Sequence, residues 1–196
     1  MTSRRFSQAI SEGDGISVIV PVGDLDSART AEEQRAEGLI VWNNVPGLRD
    51  AVSLPLLWRA EGPLDAARDS GADACLLIVE RIGDEEGRLE RMQEACAALG
   101  LEVVVDVKNS EELELALERI DPELFLLSPR EADDGQAAHE RVLELLTDVP
   151  AGKLAIADLG GGVRTEVDEL ERAGVDAVVV AAGNVTELVG AAPPEV

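Results

Sequence analysis

The chain is nearly without aromatic residues, with no tyrosine, two tryptophans and two phenylalanines in 196 residues. A core of this size must therefore be built from Leu, Val, Ile and Ala, and a surface that stacks on bases is not expected. Lysine is just as scarce, present only as Lys108 and Lys153, and 17 basic residues face 40 acidic ones for a net charge of −23. No Lys/Arg stripe interrupts this excess, so neither nucleic acid nor an anionic membrane is an expected partner. Arginine preference with so much acid fits GC-rich coding better than a high-salt habitat. Cysteine is limited to Cys75, in an apolar strand-like run, and Cys96, in a helix-like run. That is neither a disulfide framework nor a metal-binding spacing, and no metal is expected. No apolar run approaches a membrane span, and residues 1–15 carry two arginines without the apolar stretch and cleavage site of a signal peptide. These absences predict a cytoplasmic protein.

What is present is a rhythm. Short β-type apolar runs recur at 16–22, 39–43, 54–59, 74–79, 102–107, 123–128, 153–158 and 176–181, separated by polar stretches of helical period. Within 84–100, Leu89, Met92, Cys96 and Leu99 fall on one face. Leu113, Ala116, Leu117 and Ile120 do the same, with Asn109 and Ser110 as the cap and acids in the first turn. Val167, Leu170 and Ala173 repeat the pattern before Gly174, a C-terminal stop. The second unit is the weak one, because only residues 44–53 join runs two and three and a helix over 47–52 has room for about one or two turns.

Strands alternating with helices imply a parallel sheet, and eight of them close a barrel. The prediction is a minimal (β/α)8 TIM barrel of the α/β class, with very short loops and a truncated second helix. It forms a single domain over 1–196, with 1–15 as an N-terminal lead-in. The runs are apolar on both faces, as strands between an inner core and a helix ring must be. An open doubly wound sheet is the alternative. However, Pro21-Val22-Gly23-Asp24 after the first run is no dinucleotide fingerprint, and no cofactor is expected.

Barrel chemistry sits at the C-terminal ends of the strands. The sequence places Gly23 and Asp24 there, then Arg59 and Glu61, then Glu80 and Arg81. Asp106 and Lys108 end the fifth run on one side of the strand, and Ser128 and Arg130 end the sixth. Gly160-Gly161-Gly162 and Gly183-Asn184 open the last two helices, where backbone N–H groups can approach a phosphate; a flexible turn is the plainer alternative. Lys108 is the lysine at the mouth, read as an acid, a phosphate contact or a Schiff-base amine, and alternatively as a paired rim charge. Arg59 and Arg130 either hold an anion or pair with the abundant acids. Asp24 and Ser128 complete the substrate mouth. His139, in a polar stretch before the sixth helix, reads as a surface histidine, and Trp42 and Trp58 read as rim or core packing.

Several stretches resemble the indole-3-glycerol phosphate synthases. Ile16-Ser17-Val18-Ile19 is similar to that family's first strand, Ser53-Leu54-Pro55-Leu56-Leu57-Trp58-Arg59 to its third, and Gly71-Ala72-Asp73-Ala74-Cys75-Leu76-Leu77-Ile78 to its fourth. Ala98-Leu99-Gly100-Leu101-Glu102-Val103 through Asp106-Val107 resembles the fifth, Gly162-Val163-Arg164-Thr165 the seventh, and Gly174-Val175-Asp176-Ala177-Val178-Val179-Val180 the eighth. The resemblance implies the barrel. It also implies a carboxy-lyase of tryptophan biosynthesis that closes an indole ring on an anthranilate-linked deoxyribulose phosphate.

The family's N-terminal extension and its longer loops after strands one and two have no counterpart. The strand-one Glu and Lys fall on Pro21 and Gly23, the strand-three general-acid Lys on Arg59, and the strand-five Glu on Asp106. The strand-six Asn becomes Ser128 while its Arg is kept as Arg130. The strand-seven Glu-Ser-Gly becomes Gly160-Gly161-Gly162, and the strand-eight Gly-Ser becomes Ala181-Ala182. Arginine keeps a charge but cannot readily give up a proton. The expectation is a diverged barrel without the family's lyase activity that binds a small phosphorylated molecule, as a monomer or weak homodimer. The alternatives are an active lyase or rearranged enzyme working through Arg59, Asp106, Lys108 and Arg130, and a non-catalytic interaction barrel with an exposed apolar patch near 44–53.

Overall fold

The computed structural model describes residues 6–12, 15–59, 63–82, 85, 87–129, 138–159, 164–181 and 185. Each apolar run becomes a strand: β1 (Ser17–Pro21), β2 (Gly38–Val41), β3 (Leu56–Arg59), β4 (Ala74–Ile78), β5 (Glu102–Val107), β6 (Leu124–Leu127), β7 (Leu154–Asp158) and β8 (Ala177–Val179). Every strand pairs in parallel with its neighbours in sequence, and β8 returns to β1, closing an eight-stranded barrel.

An N-terminal helix α1 (Phe6–Ser11) precedes the barrel. The ring around it is α2 (Leu25–Glu33), α3 (Leu48–Ala51), α4 (Leu64–Asp69), α5 (Val79–Ile82), α6 (Arg88–Ala98), α7 (Ser110–Arg119), α8 (Ala138–Leu146) and α9 (Arg164–Ala173). The truncated second helix is α3, a single turn.

Strand alternation sorts the core into two layers. Ile19, Ile40, Leu57, Leu76, Val104, Leu126, Ile156 and Val179 point inward and fill the barrel. Val20, Leu39, Trp58, Cys75, Leu77, Phe125 and Val178 point outward beneath the helices. Cys75 on β4 and Cys96 on α6 are free and buried.

The floor of the barrel is sealed by part of the segment read as a lead-in. Phe6, Ala9 and Ile10 fall at i, i+3, i+4, and Phe6 and Ile10 join the inner core as a plug. A Cβ on Gly38 would come within 3.2 Å of the Phe6 ring, so this close approach favours glycine. Ser7 N–H donates to Glu102 Oε2 at 3.1 Å, and the Ser17 hydroxyl donates to the Ile10 carbonyl at 3.1 Å.

Acids standing just before strands serve this end as well. Asp73 Oδ2 accepts from Leu56 N–H at 2.9 Å, Asp176 Oδ2 from Ala155 N–H at 2.8 Å, and Glu37 Oε2 from Val18 N–H at 3.1 Å. Each carboxylate caps the strand before its own, which is why Gly-Ala-Asp-Ala and Gly-Val-Asp-Ala recur ahead of β4 and β8. Burial pushes the Asp176 carboxyl up from its ordinary value, and its bonds to backbone N–H groups pull the other way.

The short second unit closes its own wall. Leu48 and Val52 are buried, and Arg49 donates to the Val52 and Leu54 carbonyls at 3.0 Å while pairing with Asp73 at 3.0 Å. The surface concavity beside it is lined by Asn44, Val45, Leu48, Arg49, Asp50, Arg68, Asp69 and Ser70 among others.

Candidate functional site

The strands carry their side chains upward to a cavity of about 200 Å³ at the C-terminal mouth. Pro21 from β1, Ile40 from β2, Leu76 from β4, Leu126 from β6 and Val179 from β8 line it, with Trp42, Val180 and Ala181 just beyond the strand ends. Two charged groups share these walls, Arg59 from β3 and Asp158 from β7. Both sit on inward positions, because Arg59 is in register with Leu76 and Asp158 with Val179.

Arg59 lies 5.9 Å above the centre of the Trp42 ring, a cation–π distance, and its Nε is buried with no hydrogen-bond partner among the described residues. It makes no salt bridge to a described carboxylate, so the rim-pairing alternative does not hold for it among the described residues. Asp106 is 4% exposed. Burial pushes its carboxyl up from the ordinary value, the hydrogen bond from Ser128 and the charges of Lys108 and Arg59 pull it down, and Asp158 adds to the rise. The Ser128 hydroxyl donates to Asp106 Oδ1, and Lys108 is ion-paired with Glu80 at the start of α5. Lys108 is therefore both a paired rim charge and the cation beside Asp106.

Arg59, Asp106, Lys108 and Ser128 thus form one constellation. Asp24 serves the helix that follows it. It is the N-cap of α2, its carboxylate accepting from Ser27 N–H at 2.7 Å, and the bonds from Ser27 hold it below the usual carboxylate range. It does not line the cavity. Arg130, Gly160, Gly161, Gly162, Gly183 and Asn184 lie outside the described residues.

His139 sits inside α8 instead of before it, and faces α9 with Nδ1 3.6 Å from Glu166 and Nε2 3.7 Å from Glu169. Trp58 is core packing, whereas Trp42 lines the cavity. Sequence reasoning missed Asp158 as a site residue and counted no carboxylate for strand seven. The signal was there in the alternation Leu154, Ile156, Asp158, which puts all three on one face.

Among the described residues no group of three or more His, Cys, Asp or Glu is placed to hold a metal ion, and no helix is long and apolar enough to cross a membrane. Arg59 sets a cation in the wall of this cavity, whereas Asp106, Lys108 and Ser128 are not among the residues that line it.

A closed (β/α)8 barrel with its polar groups gathered at the C-terminal ends of the strands is the architecture of barrels that bind and transform small molecules at that face. This chain belongs to the indole-3-glycerol phosphate synthase family, whose model matches residues 57–185. An indole-3-glycerol phosphate synthase from Acidithiobacillus ferrooxidans is 34% identical over 137 residues, which are 67% of this chain and 51% of that protein. The same figures hold in a second strain of that organism. The chain thus spans about half the length of the curated relatives it matches.

Solved structures share the fold at low identity. An N-acetylmannosamine-6-phosphate 2-epimerase from Clostridium perfringens superposes with a TM-score of 0.68 at 14% identity, over 84% of this chain and 86% of that one. A thiamine phosphate pyrophosphorylase from Pyrococcus furiosus gives 0.67 at 17%, over 89% and 93%. The tryptophan synthase α-subunit of Pyrococcus furiosus gives 0.63 at 15%, over 87% and 88%.

Proposed function

We propose that this chain is a diverged member of its family that does not catalyse the family's ring-closing lyase reaction and binds a small phosphorylated molecule at the C-terminal mouth. The observation that carries the reading is the end of β1, where the cavity wall is Pro21, a residue with no titratable group. By resemblance that place belongs to a carboxylate and the next inward place to a lysine, here Gly23. Removing one positioned proton donor commonly costs roughly 10²–10⁴-fold in rate. The positive charge persists at Arg59, which can hold an anion but not deliver a proton near neutral pH. The same reading places the protein in the cytoplasm as a monomer or weak homodimer.

A second reading, a working lyase with substituted residues, is favoured by one observation. The buried Asp106 carboxyl is raised toward the range useful for proton transfer, and Lys108 stands beside it. One experiment separates the two. The protein is titrated calorimetrically with indole-3-glycerol phosphate, its carboxyphenylamino-deoxyribulose phosphate precursor and inorganic phosphate, while turnover of the precursor is followed by indole fluorescence. Micromolar binding without turnover is the expected result. Turnover overturns the proposal in favour of the second reading, and silence in both removes the ligand-binding function as well.

A further inference from the structure

We propose that Cys75 and Cys96 form a redox-responsive dithiol, which hydrogen peroxide converts to a disulfide that staples α6 to β4 and which a small thiol reopens. The pair lies in the outer wall of the barrel and does not line the mouth cavity.

The chain has two cysteines, and the fold sets them against one another. Cys75 faces outward from β4, in register with Trp58 on β3 and Val103 on β5. Cys96 is one of the two buried residues of α6, the other being Leu89. Both cysteines are 0% exposed, and their thiols share a hydrogen bond. A buried residue touches about 6–12 others, so two cysteines scattered at random through a chain of this length would meet in roughly one case in twenty. Packing alone asks for small apolar side chains at these places and gives no reason for sulfur against sulfur.

The contact also orders the chemistry. The bond to Cys96 and burial both push the Cys75 thiol up, so its proton stays on. The same bond pulls Cys96 down against the effect of burial, so the Cys96 thiolate forms first. That thiolate attacks one peroxide oxygen, the O–O bond breaks, and a water leaves with the proton that Cys96 gave up. The sulfenic acid formed on Cys96 is then attacked by the Cys75 sulfur. The S–O bond breaks, and the hydroxyl departs with the Cys75 proton as a second water. Two thiols are oxidised to one disulfide, and the peroxide is reduced to two waters.

Helix α6 supplies the way in. With just Leu89 and Cys96 buried along its length, it opens from the wall at lower cost than the strands beneath it. The disulfide closes a loop over residues 75–96. That loop contains α5 with Glu80, the partner of Lys108, so the staple also restrains the segment that carries this rim pair.

The full chain is treated with hydrogen peroxide, denatured and alkylated with iodoacetamide, and the labelled cysteines are counted by mass with and without prior dithiothreitol. Oxidation of methionine leaves this count unchanged. The expected result is that both thiols escape the label together in a monomeric chain, and that dithiothreitol restores both. The closed form should melt about 5 °C or more higher, as the closure of a loop of roughly 20 residues predicts. Cys75→Ala and Cys96→Ala, with melts confirming that each folds, should show no such rise after peroxide.

Two labelled thiols after peroxide make the pair inert core packing and overturn the proposal. A loss of label that dithiothreitol fails to reverse, or a chain linked to a second copy, overturns it too, because the cysteines then react singly. A disulfide that leaves the melting temperature unchanged, or a rise that persists in either alanine variant, overturns the staple.

Discussion

The two ends of this barrel are made from the same strands and treat polar groups in opposite ways. At the floor, Asp73, Asp176 and Glu37 each accept from a strand N–H, Ser7 is bonded to Glu102, and Phe6 fills the remaining space. At the mouth, Asp106 is buried against the Ser128 hydroxyl among mixed charges, and Arg59 Nε is buried with no partner among the described residues. The floor commits its polar groups to the backbone. The mouth spends its polar groups on one another, Lys108 on Glu80 and Ser128 on Asp106, with few bonds to the backbone. The two faces can differ in this way because a barrel's loops at one end do not shape the other.

The sharpest way to break this contrast is to remove the plug. Phe6→Ala deletes a fully buried ring beneath the barrel and should cost about 3–5 kcal/mol in urea unfolding, leaving anion binding at the mouth unchanged in the surviving folded fraction. A cost below about 1 kcal/mol would mean that α1 rests on the floor without closing it. Next in size is Asp73→Ala, which strands Leu56 N–H and Arg49 together. A loss of about 2–3 kcal/mol is expected, with Asp73→Asn recovering part of it because an amide oxygen still accepts.

This contrast also marks where the sequence could be read. The strands were legible because each apolar run is short and closed by turn chemistry, all but 54–59 and 123–128 carry β-branched residues, and only Gly38 in β2 fell ahead of its predicted run. Helix α7 was legible because Asn109 caps it, with its side chain accepting from Glu112 N–H. The plug was not read, because a single-face pattern of three residues in a short segment is a weak periodic signal until its partner, the open barrel end, is known.

At the mouth, proximity to strand ends was enough to bring Arg59, Asp106, Lys108 and Ser128 together. Asp24 stands apart from them, because a short polar side chain ahead of a helix caps it first, here through Ser27 N–H. Asp158 was passed over because the glycines that follow it are the stronger local signal, while its own signal lies in strand parity. The pairing of Arg59 with Trp42 depends on how β2 and β3 lie in register, which spacing alone does not give.

A third change tests whether the ends differ in sign as well as in size. Burial raises the Asp106 carboxyl in the folded protein, so the folded state binds that proton more tightly than the unfolded chain does. The contribution to stability is fully present below the unfolded value of about 3.9 and is lost as pH rises through the folded value. Above that folded value the ionised group is therefore a liability. Asp106→Asn, which keeps an acceptor for Ser128, should stabilise the protein at pH 7, and the gain should shrink as pH falls toward about 4. Asp73→Ala has the opposite sign. An Asp106→Asn variant less stable than the parent at pH 7 would make the mouth a second floor.

The smallest effect separates contact from field. The floor carboxylates touch their N–H donors at 2.8 to 3.1 Å, well inside any screening length, so added salt leaves those bonds alone. The repulsion of a chain with net charge −23 acts over longer distances and is cut sharply when the Debye length falls from about 10 Å at 0.1 M salt to about 3 Å at 1 M. The melting temperature should therefore rise by a few degrees between these concentrations, while the penalty of Asp73→Ala stays the same at both. If that penalty instead shrinks with salt, Asp73 acts through its charge on Arg49, partly exposed at the surface, and the backbone bond to Leu56 contributes little. If the melting temperature is flat while the penalty holds, the acidic surface is already balanced locally by pairs such as Arg91 with Glu85, and the acid excess carries no cost to folding.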